Sequence, residues 1–170
     1  MDSMTDELTG LWNKSYFDQR LAAELALSNR GGRCLSVVLI DLDHFAAVND
    51  MLGREAGDNV LRSAAKTLAR CCRGEDVVCR YEGTKFAVIL LGATDEIAAR
   101  AAQRLCDTLA NSWPGHDDKT VHITASIGVA DSQTLPGTIV AQAERALLEA
   151  KTAGRNRVAV AKPEFQAVGA

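Results

Sequence analysis

The sequence predicts an α+β domain built on a mostly antiparallel sheet flanked by helices. Three observations point that way. Apolar residues alternate along the 170-residue chain between a helical and a strand period. Leu35 to Leu42 is an uninterrupted apolar run rich in Val, Leu and Ile, the pattern of a buried central strand. Val77 to Tyr81 and Lys85 to Leu91 are β-patterned runs around a tight turn, hence a hairpin.

Each element has its own signal. Tyr16 to Ser28 reads as an amphipathic helix with Phe17, Leu21, Leu25 and Ala26 on one face, broken by the Gly-containing stretch from Asn29 to Arg33. The central strand ends on Asp41-Leu42-Asp43, and a short helical turn follows from Phe45 to Asn49. A loop with Gly53 and Gly57 leads to a helix from about Asp58 to Cys72. Asp58 is its N-cap, and Val60, Leu61, Ala64, Ala65 and Leu68 face inward. After the hairpin, Thr94 caps a helix running to Asn111, and Trp113-Pro114-Gly115 stops it. Val121 to Ala130 is a strand, Thr138 to Thr152 a helix ended by Gly154, and Arg157 to Ala161 a last strand. The order is βαββαβ with additions, and helices on one face of the sheet make it ferredoxin-like. That arrangement names no function.

Composition narrows the classes. The length suits one domain, and 47% hydrophobic with 24% charged residues is a globular balance. A net charge of -3 provides no electrostatic case for a polymeric nucleic acid. No apolar run approaches the roughly 18 residues of a membrane span, and no secretory signal is visible. The five cysteines (Cys34, Cys71, Cys72, Cys79 and Cys106) lie in apolar patterns and read as buried thiols in a reducing cytosol. His44, His116 and His122 do not cluster.

The chemistry gathers at the end of the central strand. Asp41 and Asp43 at a strand end, just before a helix start, suit a magnesium ion and a phosphate. The same two residues also suit plain capping and turn roles. The surrounding motifs bear on that choice: Asp6 to Asn13, Ile40 to Phe45, Asn49-Asp50, Gly53, Gly57-Asp58, Arg80-Tyr81, Ser126-Ile127-Gly128, Ala150-Lys151 and Gly154-Arg155-Asn156. Together they resemble the GGDEF family over nearly the whole chain, from about Thr5 to Val158. The resemblance implies a nucleotidyl cyclase-type fold. Intact family members condense two GTP molecules into cyclic di-GMP, with one half-site on each protomer of a dimer. It also implies that Asp41 and the Leu42 carbonyl form a remnant, incomplete metal site. Asn49 and Asp58 would face the guanine edge, and Lys151 and Arg155 the phosphates.

The signature itself departs from the family. Its hairpin turn should carry two glycines and two carboxylates, and here the positions are Glu82, Gly83, Thr84 and Lys85. An anion replaces a glycine beside the phosphates, a hydroxyl replaces the metal ligand, and a cation replaces the candidate base. Losing a positioned base costs about 10²–10⁴ in rate, and losing the metal removes several kcal/mol of charge stabilisation. A family lysine two residues after His44 is Ala46. The expectation is a catalytically inactive domain with no required cofactor, Mg²⁺ entering only with bound GTP. Lys85 could stand in for the metal as an ammonium, or pair with Glu82 across the turn.

Arg73-Gly74-Glu75-Asp76 precedes the turn at the spacing of the family's inhibitory site, and Arg104 matches a supporting arginine. A guanidinium can fork onto guanine O6 and N7, and a carboxylate can accept from the N1–H and N2–H₂ edge. A surface ion pair is the plainer alternative, since Arg104 and Asp107 repeat the pattern within a helix. The leading expectation is a cyclic di-GMP receptor using Arg73, Asp76 and Arg104. The alternatives are a GTP-binding regulatory domain controlling an attached EAL phosphodiesterase, and an interaction scaffold with neither site used. Residues 1–161 are expected to be the domain. Residues 162–170 would be a tail or linker of an excised part of a longer cytoplasmic or membrane-attached signalling protein, with homodimerisation open.

Overall fold

The structure, a computed structural model, describes residues 3–111, 113, 121–133 and 138–162. Its elements are α1 (Lys14–Asn29), β1 (Leu35–Leu42), α2 (Phe45–Leu52), α3 (Arg54–Cys71), β2 (Val77–Glu82), β3 (Lys85–Leu91), α4 (Asp95–Asn111), β4 (Ala125–Asp131), α5 (Ile139–Thr152) and β5 (Arg157–Val160). The five-stranded sheet runs β2-β3-β1-β4-β5. All pairings are antiparallel except β4 with β5, which are parallel and joined through α5. The first four strands have the ferredoxin-like order, and β5 is added beyond them.

All eight residues of β1 are buried, because both sides of the sheet are covered. Val38, Ile40 and Leu42 pack with Phe45 of α2, with Val60, Leu61, Ala64 and Leu68 of α3, and with Ala98, Ala102 and Leu105 of α4. On the opposite side, Val37 and Leu39 pack with Phe17 and Leu21 of α1 and Ile139, Ala143 and Leu147 of α5. Helices on one face is therefore corrected to helices on both. An apolar run without alternation requires that outcome, since a one-sided sheet would alternate apolar with polar.

Other boundaries differ for local reasons. The α3 helix starts at Arg54, with Gly53 as its cap, so Asp58 lies a turn inside and does not cap it. Gly57 belongs to that helix rather than to a loop. A Cβ there would lie 1.8 Å from Asn49 Oδ1, so the glycine lets α2 close against α3. The α1 helix begins at Lys14, where the Asn13 side chain accepts from the Tyr16 N–H, and Ala26 is exposed rather than on the inner face. The β4 strand begins at Ala125, and residues 121–124 are not strand. The Thr94 hydroxyl accepts from the Ile97 N–H at the start of α4. Cys71 is exposed, against the expectation of buried thiols, while Cys79 and Cys106 are buried. Pro114, Gly115, His116 and residues 163–170 of the expected tail lie outside the described residues. Among the described residues no helix is long and apolar enough to cross a membrane.

Candidate functional site

The β1 strand delivers Asp41 and Asp43 to one end of the sheet, and the two carboxylates are handled differently. Asp43 is an anchor. It accepts from Thr124 Oγ1 and Ser126 Oγ, each at 2.7 Å, and from the Asn156 backbone N–H at 3.0 Å. The ends of β1 and β4 and the α5–β5 loop are thereby tied together. The loop passes through the left-handed region at Arg155 (φ 64°) and Asn156 (φ 48°), a conformation that costs energy for residues with a Cβ. The Asp43 bond compensates part of that cost. It also holds the Arg155 backbone at this end of the sheet, and the Arg155 guanidinium makes no ion pair among the described residues.

Asp41 is 8% exposed and satisfied from within the chain. Thr84 Oγ1 donates to Asp41 Oδ1 at 2.7 Å, and the Lys151 ammonium contacts Asp41 Oδ2. Lys151 projects from the last turn of α5, whose Cα trace lies over β4 because Gly128 has no side chain. A Cβ there would come within 2.2 Å of the Ala143 carbonyl oxygen. Thr84 is placed by the hairpin, in which Lys85 is paired with Asp41 across the β1–β3 ladder.

The turn has kept the glycine that its backbone needs. Gly83 has φ 45°, whereas Glu82 sits at the end of β2 and is paired with Lys85 in the strand ladder. The Glu82 carboxylate lies 4.0 Å from the Lys14 ammonium, and Lys85 makes no ion pair among the described residues. The expected alternative of a Glu82–Lys85 side-chain pair is thus replaced by a long contact to α1. Arg80 braces the turn, donating to the Gly83 carbonyl at 3.1 Å and pairing with Asp6 at 3.2 Å. Burial raises the Asp6 pKa, but hydrogen bonds from Thr9 and from Arg80 outweigh it and leave the carboxyl below its ordinary value.

The residues present do not fit a divalent ion at this end of the sheet. Mg²⁺ is ordinarily held through one or two protein carboxylates, with water and substrate phosphate completing its octahedron. Here Thr84 stands where the second carboxylate would be, and both oxygens of Asp41 are engaged by an internal hydroxyl and an internal ammonium. Among the described residues no cluster of acidic, His or Cys side chains compensates.

On α2 and α3, the Asn49 side chain lies against Gly57, the residue before Asp58. That packing was not legible from the spacing of the residues.

A second cluster lies beyond the other end of the hairpin. Arg73, Asp76 and Arg104 line one small surface cavity of about 100 Å³, walled by Leu90, Ile97 and Ala101. Asp76 holds the turn by accepting from the Arg73 backbone N–H at 2.8 Å. The guanidinium groups of Arg73 and Arg104 make no hydrogen bond or ion pair among the described residues, and both residues are exposed. Burial pushes the Asp76 carboxyl above its ordinary value, partly opposed by the Arg73 N–H and guanidinium. The neighbouring Cys72 thiol is pushed up to about 12, mainly by burial and then by Asp76 and Cys71. The plain Arg73–Asp76 side-chain ion pair is not formed. The apolar wall of Ile97 and Ala101 carried no signal of its own in the sequence, because both residues fit a helix face equally well.

Known proteins bear directly on this geometry. The sequence model described as "Diguanylate cyclase, GGDEF domain" matches residues 3–157. Diguanylate cyclase A of Treponema denticola is 36% identical over 165 residues, covering 93% of this chain and 44% of the relative. Response regulator PleD of Caulobacter vibrioides is 35% identical over 161 residues, covering 92% of this chain and 36% of the relative. The chain therefore spans less than half the length of these curated relatives. Among solved structures, the GGDEF domain of DgcB from Caulobacter crescentus, in complex with c-di-GMP, superposes with a TM-score of 0.88 at 30% identity, covering 95% of this chain and 97% of that one. Diguanylate cyclase SiaD from Pseudomonas aeruginosa, in complex with its activator SiaC, does so with a TM-score of 0.88 at 31% identity, covering 94% and 62%.

Proposed function

We propose that this chain, which belongs to the GGDEF domain family of the diguanylate cyclases, is a catalytically inactive member that serves as a cyclic di-GMP receptor. The observation that carries the receptor reading is the convergence of Arg73, Asp76 and Arg104 on one cavity, with two unpaired guanidinium groups facing it. Arg73 forks onto guanine O6 and N7, Asp76 accepts from the opposite edge of the same base, and Arg104 takes a phosphate or a second guanine. A cavity of about 100 Å³ is below the usual ligand range of roughly 300–1,000 Å³. It admits the edge of a base, and the remaining ligand surface is free to bridge to a second protomer or domain. The bound complex reported for DgcB is consistent with a family surface of this kind.

The inactivity rests on Thr84 and Lys85 in place of the two carboxylates, with Asp41 neutralised internally. The chain acts in the cytoplasm as one part of a longer signalling protein, without a required cofactor. A second reading draws on the packing of Asn49 of α2 against α3 at Gly57, the residue before Asp58. In it, GTP is held without turnover through those residues, Lys151 and Arg155, and regulates an attached domain.

Calorimetry tests the proposal. Cyclic di-GMP is expected to bind with a Kd below about 100 μM, equivalent to about 5 kcal/mol, and Arg73→Ala to abolish the signal. Equal binding by the Arg73→Ala protein, or none by the unsubstituted chain, overturns the receptor reading. Conversion of GTP to cyclic di-GMP by the pure chain overturns the inactivity.

A further inference from the structure

We propose that Lys151 is a built-in counter-cation that takes the place of a divalent ion at Asp41, and that the Asp41–Lys151 pair, braced by Thr84, withholds Lys151 from an incoming phosphate. The inference concerns the β1–α5 end of the molecule and stands independently of the Arg73 cavity.

The argument starts from Asp41. Its carboxylate is nearly enclosed, with the side chain 12% exposed, and that of Lys151 is 29% exposed. A pair screened from water to this degree attracts more strongly than a surface pair. Thr84 Oγ1 donates to the other carboxylate oxygen at 2.7 Å, so each oxygen of Asp41 already accepts one internal donor. A magnesium-like ion would have to eject the ammonium and shed tightly held water, in exchange for one carboxylate and neutral oxygens.

The second consequence concerns the phosphates. An ammonium is a point charge on a flexible stem, and a neutralised one offers little to a triphosphate. Other cations on the segments that meet here are Arg155 in the α5–β5 loop and Lys85, paired with Asp41 in the β1–β3 ladder, while the Glu82 carboxylate is turned toward Lys14. Asp43 is fully engaged with Thr124, Ser126 and Asn156 and cannot take over Lys151. Replacing Asp41 by Asn therefore frees Lys151, while the amide oxygen can still accept from Thr84 Oγ1.

Two measurements test this. The first is binding of GTP in excess EDTA. Asp41→Asn is expected to bind it at least about tenfold more tightly than the unsubstituted chain, the equivalent of one charge-assisted contact, and adding Lys151→Met is expected to remove the gain. An equal or weaker affinity in Asp41→Asn overturns the proposal, as does a gain that survives Lys151→Met, which would mark simple relief of repulsion. The second needs no variant to fold: Mn²⁺ alone, followed by its paramagnetic signal, is expected to show no saturable binding up to about 1 mM. Saturable binding that disappears in Asp41→Asn overturns the proposal. Both readouts leave cyclic di-GMP binding at Arg73 untouched, so failure here is separable from failure of the receptor reading.

Discussion

Three donors from two other segments converge on the carboxylate of Asp43. Truncating it to Ala leaves the buried Ser126 hydroxyl without this acceptor, at about 1–3 kcal/mol, and removes the bonds to the half-buried Thr124 hydroxyl and the Asn156 N–H. Chemical denaturation is expected to show a loss of at least that size, and a change within error would mean water replaces the carboxylate. Two glycines make a contrasting pair. At Gly57 a new Cβ meets the movable end of Asn49, whereas at Gly128 it meets the backbone of α5. Gly57→Ala must displace the Asn49 side chain and crowd the buried Phe45 ring at 3.1 Å, a cost offset in part by the roughly 0.5–1 kcal/mol by which a helix favours Ala over Gly, so a smaller loss is expected there, with the Asn49 side-chain amide resonances shifted. Gly128→Ala is expected to lose about 1–3 kcal/mol or more. Similar losses at both positions would refute the distinction. Asp76 makes a pH prediction. Its carboxyl is raised above 3.8 by burial, and it must be ionised to accept from guanine. Cyclic di-GMP affinity should thus fall on acidification at a higher pH than an ordinary aspartate would dictate, and a flat profile down to the ordinary range would remove Asp76 from the contact.

At the scale of elements, the β2–β3 hairpin holds Glu82, Thr84 and Lys85, the positions on which the proposed inactivity rests. Its shape is set by Gly83 in the left-handed region and by Arg80, which ties the turn to Asp6. The combined substitution Glu82→Gly, Thr84→Asp and Lys85→Glu is therefore expected to fold. With Ala46→Lys added, it is expected to give cyclic di-GMP from GTP and Mg²⁺ where the unsubstituted chain gives none. Chromatography of the nucleotide products decides it, and a folded but silent variant would place further losses outside the turn.

For the molecule as a whole, the shallow cavity between β3, α4 and the α3–β2 turn predicts bridging. Light scattering is expected to show a higher mass on adding cyclic di-GMP, absent in Arg73→Ala, and an unchanged mass at saturation would confine the ligand to one protomer. Two aspartates act oppositely on stability. Asp6, held low by Thr9 and Arg80 against burial, contributes stability that is present above 3.8 and lost as pH falls through its folded value. Asp76 holds its proton more tightly folded than unfolded, so its burial cost is relieved by acidification.

The residues alone determined β1 to its last position, the hairpin, the α+β class and the family, because periodicity, caps and motif types are local or ordered along the chain. The residues of the Arg73 cavity were nameable for the same reason. That they form one group was implied by the family resemblance and not by periodicity, and the packing of α4 beside the α3–β2 turn is what puts them on one cavity. Helices on both faces were implicit in the unalternating β1, but the late start assigned to α3 was not avoidable from spacing: Gly57 reads as a loop until Asn49 is seen resting on it. Only the tertiary structure decided the state of Asp41. Its partners come from a hairpin and from a helix near the other end of the chain, and pairing across such distances leaves no periodic trace in a sequence. A hydroxyl beside Asp41 was nameable at Thr84 from the resemblance. That its hydroxyl and the Lys151 ammonium close around Asp41 follows from the sheet register and the placement of α5 over Gly128.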